Sequence, residues 1–121
     1  MADSALSLLG LALRGGNLVV GEEPVREACK ARRAWLVMSA GDAADNSIER
    51  SRRWAEEGGV PWIQVSWDKE TLGNALGRKL CAVAALTDRG LTAALAEKLE
   101  SISNDKKKSR AEAKRPAVPE T

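Results

Sequence analysis

The 121-residue chain contains no histidine, tyrosine or phenylalanine, and it has only two cysteines. A zinc site built from cysteine and histidine needs at least three protein ligands, so zinc-finger and zinc-ribbon readings are excluded. Catalytic arrangements that depend on an imidazole are excluded as well, because there is no histidine. RNA-binding sheets that stack bases on phenylalanine and tyrosine are disfavoured. The sequence therefore predicts no metal site and no imidazole-dependent catalysis.

The body of the chain has no net positive charge, and the excess of basic residues lies at its end. Residues 1–100 carry 13 basic and 14 acidic side chains, whereas residues 101–121 carry six basic and three acidic ones. Any nucleic-acid site in the body must then be a local patch of charge. Residues 103–121 are rich in Lys, Arg, Ala, Ser and Pro and have almost nothing to bury, which predicts a basic, disordered tail after a domain at 1–102.

The N-terminal apolar run, Ala5 to Leu13, is too short to span a bilayer. It is preceded by Asp3 and followed by Arg14, the reverse of the charge order in a signal peptide. We therefore expect a cytoplasmic protein without a membrane partner. The cysteines, Cys29 and Cys81, have no metal-binding or redox spacing and are predicted to be buried thiols.

Helical and extended patterns alternate along the chain, which indicates an α/β fold. We predict a three-layer α/β/α sandwich around a mixed, mostly four-stranded sheet. The first predicted helix is 4–14, capped by Asp3 or Ser4, and the second has Pro24 in its first turn and ends near residue 32. Three more helices are predicted from Asp42 or Asp45 to Gly58-Gly59, from Asp68 to Leu76, and after a cap at Asp88. The predicted strands are Leu18–Val20, Trp35–Ser39, Val60–Val65 and Leu80–Leu86.

Seven short stretches, in this order and spacing, resemble one protein family. They are LGLALRGG at 9–16, LVVGEE at 18–23, AWLV at 34–37, DAADNS at 42–47, GVP at 59–61, LGNALG at 72–77 and VAALTD at 83–88. Together they resemble the ribosomal protein family L7Ae/L30e, especially its small bacterial branch. The resemblance implies a non-enzymatic α/β/α sandwich that binds kink-turns, which are sharply bent RNA internal loops with sheared G·A pairs.

The resemblance also implies that RNA contacts come from the start of the second helix and from the loop before the last strand, here Gly21–Lys30 and Gly77–Cys81. A carboxylate at the start of the second helix can accept hydrogen bonds from guanine N–H groups in an open RNA loop. Cations and an apolar side chain in the loop suit phosphate contact and packing on an unstacked base. The candidate RNA-binding residues are Arg14, Asn17, Gly21, Glu22, Glu23, Arg26, Lys30, Arg78, Lys79 and Leu80.

The family signature Gly-x-Asn-Glu-x-x-Lys is only partly present. Laid on Gly21, it places Glu23 at the Asn position, Pro24 at the Glu position and Glu27 at the Lys position. Asn17 likewise stands where the bacterial branch commonly has Lys. The acids at the helix start have a second interpretation, because carboxylates there also complement the helix dipole.

Two functions remain open at this stage. The first is a cytoplasmic RNA-binding protein that has no cofactor and is a monomer when free. Its partner is structured RNA, either ribosomal RNA in the ribosome or another RNA. The alternative is a protein-interaction module that kept the fold and lost kink-turn binding. A nucleotide-binding enzyme is disfavoured, because the glycines match no phosphate-binding loop. The arginines at 50, 52 and 53 are interpreted as a solvated helix face and Trp35 as a core residue.

Overall fold

The computed structural model describes residues 4–99. The elements, in chain order, are α1 (Ser4–Arg14), β1 (Leu18–Val20), α2 (Glu22–Lys30), β2 (Leu36–Ser39), α3 (Asp45–Gly58), β3 (Trp62–Gln64), α4 (Lys69–Ala75) and β4 (Val83–Leu86). Residues 89–99 form a further helix, α5. The predicted cap at Asp3, the domain end at 102 and the basic tail at 103–121 lie outside the described residues.

The four strands form one mixed sheet in the order β1-β4-β2-β3. Strand β4 is antiparallel to both of its neighbours, whereas β2 and β3 are parallel. Leu86 of β4 lies opposite Leu18 of β1 on one side and Leu36 of β2 on the other. Every residue of β2 and β4 is buried, as expected for central strands covered on both faces.

Helices cover both faces of the sheet. One apolar cluster joins α2 and α3 to the sheet through Val25, Ala28, Ala55, Val37 and Ala85. The other joins α1, α4 and α5 to the opposite face through Leu9, Leu72, Leu95, Met38 and Leu86. The predicted three-layer α/β/α sandwich is therefore confirmed.

Three of the four helix-end signals predicted within residues 42–88 are confirmed, namely Gly59, Asp68 and Asp88. Gly59 ends α3 in the left-handed conformation, with φ of 72°. The Asp68 side chain accepts from the Thr71 amide, and Asp88 accepts from the Leu91 amide, both at 2.8 Å. These are the end signals that short polar side chains and glycine provide.

The prediction for the start of α3 is wrong. Neither Asp42 nor Asp45 caps this helix, since Ala44 occupies the N-cap position and no side chain caps the helix start. The Asp42 carboxylate accepts instead from the Lys69 amide at 2.7 Å, at the first residue of α4. Asp42 thus links the loop after β2 to α4, a contact between segments 27 residues apart.

Three strands are shorter than predicted. Strand β2 begins at Leu36 rather than Trp35, and β3 spans Trp62–Gln64 rather than Val60–Val65. Strand β4 begins at Val83 rather than Leu80, because the Cys81 amide donates to the Lys69 carbonyl of α4 and diverts the preceding chain away from the sheet. Trp35, predicted to be core, precedes β2 and is 45% exposed. Leu11 is 57% exposed, so one side of α1 faces solvent.

The cysteine prediction is confirmed, since Cys29 and Cys81 are both buried and unpaired with each other. Among residues 4–99, no helix combines the length and the apolar composition needed to cross a bilayer.

The sheet has two ends that matter for function. We call the end where β4 begins the proximal end, which also holds the start of α2 at Gly21. We call the end where β4 finishes the distal end. It holds the chain before β1 and the chain before β2, because Leu18 and Leu36 both pair with Leu86.

Candidate nucleic-acid interface

Gly21 connects β1 to α2 at the proximal end. Its amide donates to the Val83 carbonyl at 3.0 Å, and its own carbonyl accepts from the Val25 amide at 3.1 Å as the first bond of α2. Its φ of 105° and ψ of 158° fall in a region that only glycine adopts without strain. The start of α2 is therefore held beside the first residue of β4 by a backbone conformation specific to glycine.

The loop before β4 is folded back onto α4. Gly77 turns the chain with φ of 73°, and the Arg78 amide donates to the Gly73 carbonyl at 2.8 Å. Gly73 contacts the backbone of Leu80 so closely that a Cβ atom at this position would lie 2.8 Å from the Leu80 Cα atom. The backbone of this loop is thus fixed against a helix.

The side chains of the same loop point into solvent. Arg78, Lys79 and Leu80 are all exposed, and Leu80 reaches 59% exposure. Neither Arg78 nor Lys79 forms an ion pair with another residue in the range 4–99. A fixed backbone therefore presents two unpaired cations and one apolar side chain.

These two segments lie at the same end of the molecule. The Gly21 amide reaches Val83, and the Ala82 carbonyl just before it accepts from the Ala40 amide at 2.9 Å. Six of the ten residues predicted from the sequence are consequently grouped on what we call the proximal surface. They are Gly21, Glu22, Glu23, Arg78, Lys79 and Leu80.

Glu22 is bound by α3 and is not a free carboxylate. Its Oε1 accepts from Arg50 Nε at 2.9 Å, and its Oε2 accepts from Arg50 Nη2 and from Ser47 Oγ, each at 2.8 Å. The bonds from Arg50, aided by the one from Ser47, hold the pKa of Glu22 below its ordinary value of 4.5 against the opposing effect of partial burial. The arginines at 50, 52 and 53 are all exposed, as predicted for a solvated face, but Arg50 also forms this ion pair with Glu22.

Glu23 and Glu27 both face Arg26 on the surface of α2. Arg26 Nη1 lies 2.8 Å from Glu23 Oε2 and 3.7 Å from Glu27 Oε2. The Glu23 side chain is 73% exposed, and its second oxygen has no hydrogen-bond partner among residues 4–99. The positive charge of Arg26 is thus shared between two carboxylates, and Glu23 keeps acceptor capacity toward solvent.

Of the other four predicted residues, Arg26 is paired with Glu23 on α2, and three lie away from the proximal surface. Asn17 is at the distal end, where its carbonyl accepts from the Thr87 amide at 2.9 Å, and Arg14 ends α1 just before it. Lys30 ends α2, and nine helical residues span about 13 Å. It lines a groove of about 190 Å³ together with Trp54 and Glu57. The structure therefore separates Arg14, Asn17 and Lys30 from the proximal surface.

Arg50 and Ser47 are the site residues that the sequence analysis did not predict. They are 28 and 25 residues from Glu22, so no local spacing connects them to it. Within residues 4–99, no three His, Cys, Asp or Glu side chains come together as a metal-binding group. The chemistry of the proximal surface is that of hydrogen bonding, ion pairing and packing.

Known proteins resemble this chain in both sequence and fold. It is 34% identical over 83 residues to the RNA-binding protein YlxQ of Bacillus subtilis (strain 168), covering 69% of this chain and 82% of that protein. The solved structure of a protein with unknown function from Bacillus halodurans C superposes with a TM-score of 0.75 and 29% identity, covering 82% and 99% of the two chains.

A more distant structure shares the fold alone. The Giardia lamblia 15.5kD RNA binding protein superposes with a TM-score of 0.63 at 20% identity, covering 86% of this chain and 92% of that one. The sequence model of the ribosomal protein L7Ae/L30e/S12e/Gadd45 family matches residues 3–96, which include every described element up to most of α5. On this match and on the relative at 34% identity, the chain belongs to the ribosomal protein L7Ae/L30e/S12e/Gadd45 family.

Proposed function

We propose that this protein is a non-enzymatic RNA-binding protein that holds a structured RNA, of the kink-turn type, on its proximal surface. Membership of the ribosomal protein family and similarity to a protein named as RNA-binding support the proposal. The observation that supports it most is the hydrogen bond from the Gly21 amide to the Val83 carbonyl, because it holds the start of α2 beside the first residue of β4, three residues after Leu80. Ribosomal RNA in the cytoplasm is the partner that we propose for the free, monomeric protein.

The start of α2 supplies hydrogen-bonding groups for an RNA base. No side chain caps this helix, so its first amides are available to an acceptor and carry the positive end of the helix dipole. Three of the four acceptor sites on the Glu22 carboxylate are occupied by Arg50 and Ser47. Glu23, with one unpartnered oxygen, is therefore the better acceptor for guanine N–H groups.

The loop supplies contacts of two other kinds. Arg78 and Lys79 are exposed cations that suit phosphate oxygens, which position RNA without reading its sequence. Leu80 offers an apolar surface on which an unstacked base can pack. Because the loop backbone is held by α4, these groups are positioned before RNA arrives, and little ordering is needed on binding.

The test measures binding of a kink-turn RNA over a salt series, beside a mutant RNA that lacks the G·A pairs. Each phosphate contact contributes roughly 0.7 to 0.9 to the slope of log affinity against log salt. The double variant Arg78→Ala/Lys79→Ala is expected to reduce that slope by about 1.5. Arg53→Ala is the matched control, because Arg53 is an exposed α3 cation without an ion pair among residues 4–99. No binding by the wild type at low salt would refute the proposal.

A second candidate function is a protein-interaction module. It is favoured by the pairing at the start of α2, where Arg26 and Arg50 are both engaged by carboxylates of the same helix. The two functions differ in a simple observation, the absorbance ratio of the freshly purified full chain at low salt, followed by sequencing of any RNA that co-purifies. Protein free of RNA that also fails to bind the kink-turn would favour the interaction module.

A further inference from the structure

Trp35 is an exposed aromatic side chain at the distal end. Its backbone is fixed, because its amide donates to the Leu86 carbonyl at 2.7 Å, yet the residue is 45% exposed. The guanidinium carbon of Arg89 lies 5.7 Å from the centre of its ring. The other three tryptophans pack against the two apolar clusters as partly buried residues. Trp35 alone among the four is therefore available to an aromatic ligand.

Two unpaired cations flank this tryptophan in the fold. Arg33 is two residues before it in the chain, and Arg89 begins α5 three residues after the last residue of β4. Neither forms an ion pair with a residue in the range 4–99. The nearby Asp88 uses its carboxylate to cap α5. Arg14 does not belong to this group, because its Nη1 atom lies back along α1, 3.9 Å from the position that a Cβ atom would take at Gly10.

The loop between α2 and β2, which carries Arg33 and Trp35, is held rigidly. Arg32 adopts a left-handed backbone with φ of 62°, and its Nη1 donates to the Gly58 carbonyl at 3.3 Å. The Arg33 amide donates to the Ala28 carbonyl at 2.9 Å, while its side chain is exposed. An exposed residue in this conformation costs backbone energy, so the loop is kept in place by its contacts with α2 and α3.

We propose that this group of residues, which we call the distal surface, is a second RNA contact that takes an unpaired, single-stranded segment. One base stacks on the Trp35 ring, beside the Arg89 guanidinium, and a flanking phosphate binds Arg33. Stacking on an aromatic ring needs a base that is free of the double helix, and cations along the backbone complete such sites. The distal surface lies at the opposite end of the sheet from the proximal surface and is independent of it.

The test uses the full chain and a short fluorescein-labelled oligoadenylate, which has no kinked structure. Binding is followed by fluorescence anisotropy at low salt and by quenching of the protein's tryptophan emission. We expect Trp35→Ala to weaken binding about tenfold and to abolish most of the quenching, since stacking of one base has an effect of this size. Arg33→Ala and Arg89→Ala are expected to weaken binding and to lower its salt dependence.

Controls separate this proposal from general charge effects and from the proximal surface. Arg53→Ala removes the same charge as Arg33→Ala at an exposed site on α3, and the terminal segment is identical in all variants. The double variant Arg78→Ala/Lys79→Ala is expected to lose affinity for the kink-turn and to keep its affinity for the oligoadenylate. Trp35→Ala is expected to lose affinity for the oligoadenylate and to keep its affinity for the kink-turn. A melting curve for each variant shows that it is folded.

The proposal is overturned if folded Trp35→Ala and Arg33→Ala bind the oligoadenylate no more weakly than Arg53→Ala does. Because the oligoadenylate lacks a kink-turn, failure here leaves the measurement on the proximal surface unaffected.

Discussion

The carboxylate of Glu22 and the guanidinium of Arg50 form a two-pronged ion pair that joins the first residue of α2 to the second turn of α3. Both oxygens of Glu22 accept from Arg50, at 2.9 and 2.8 Å, across 28 residues of sequence. The pair is only partly shielded, since the two side chains are 37% and 44% exposed. The pair links α2 to α3 on one face of the sheet and fixes the orientation of the Glu22 side chain.

The first prediction concerns the strength and the pH dependence of this pair. A double-mutant cycle of Glu22→Gln and Arg50→Ala is expected to give a coupling of about 1 kcal/mol or less in the free energy of unfolding, because exposed pairs are weak. Since the folded-state pKa of Glu22 is lowered, this stabilisation is present above the ordinary value of 4.5 and is lost as pH falls below it. Urea denaturation at neutral pH and near pH 3 measures both effects.

Glu49→Gln is the control for that cycle. Glu49 is an exposed α3 carboxylate with no ion pair among residues 4–99. Its loss should change stability very little at either pH. Equal effects of Glu22→Gln and Glu49→Gln would show that the geometry of the Arg50 pair contributes nothing measurable.

The second prediction concerns the acids that occupy signature positions on α2. Glu27→Lys is expected to tighten binding to a standard kink-turn several-fold, because it removes a carboxylate 3.7 Å from Arg26 and adds a cation near phosphate. Glu23→Asn is expected to act in the same direction, since it frees Arg26 from its closer partner, although Pro24 still constrains the first turn. A gel-shift comparison on the kink-turn and on an RNA without G·A pairs provides the measurement.

Glu49→Lys makes the same change of charge on α3 and controls for a general gain. The effect is specific if Glu27→Lys raises the affinity for the kink-turn more than the affinity for the RNA without G·A pairs. Equal improvement on both RNAs would mean that the gain is charge alone. No improvement from either α2 variant would remove this helix from the RNA interface.

The third prediction tests how α4 holds the loop that carries Arg78, Lys79 and Leu80. In Gly73→Ala the new methyl group would meet the Leu80 backbone at 2.8 Å, and backbone atoms cannot rotate away as a side chain can. Overpacking of this kind costs about 1–3 kcal/mol. We expect a lower melting temperature and weaker kink-turn binding, because Arg78, Lys79 and Leu80 move with the loop.

Gly15→Ala is the comparison for Gly73→Ala. Gly15 is exposed at the distal end, and its nearest neighbour is the end of the Asn17 side chain at 3.3 Å, which can shift. Its melting temperature and kink-turn affinity should stay close to those of the wild type. If Gly73→Ala behaves in the same way, the close approach of α4 does not determine the position of the loop.

The fourth prediction concerns the buried thiol of Cys81. Burial raises its pKa from 9.0 to about 11, so the folded protein keeps the proton over a range in which the unfolded chain releases it. The unfolded state then binds fewer protons, and stability falls as pH rises from about 9 toward 11. Denaturant midpoints at pH 7.5 and pH 10 for the wild type and Cys81→Ala measure this contribution.

Cys29→Ala serves as the parallel variant, because burial also raises the pKa of Cys29 and Glu57 adds to the effect. The variant lacking Cys81 should lose less stability between the two pH values than the wild type does. An identical loss in the wild type and in both variants would show that other groups cause the alkaline instability. Slow reaction of both thiols with a disulfide reagent at pH 8 is expected on the same grounds.

Local signals in the sequence were sufficient for the fold. Gly59, Asp68 and Asp88 mark helix ends by backbone freedom or by a side chain that bonds an amide a few residues away. The apolar run that becomes β4 is buried in the middle of the sheet, as its composition indicates. Such signals act within one or two turns of chain, so they are readable without the tertiary structure.

Signals of the same kind misled where a distant residue competes for the group. Asp42 resembles a helix cap, but its carboxylate bonds the amide of Lys69 on another helix. Trp35 resembles the first residue of a buried strand, but it lies beyond the end of the sheet core, where Arg89 stacks on it and solvent reaches it. In both places a contact across the fold replaced the local one.

The sequence by itself determined the α/β/α sandwich, the family and the two segments that form the proximal surface. Only the tertiary structure decided which charges are free there, because ion pairing depends on distance in space and not along the chain. It joined Glu22 to Arg50, shared Arg26 between Glu23 and Glu27, and left Arg78 and Lys79 unpaired among the described residues. It also placed Asn17 and the end of α1 at the opposite end of the sheet from Gly21, because β1 runs between Asn17 and Gly21 and pairs along the whole of β4.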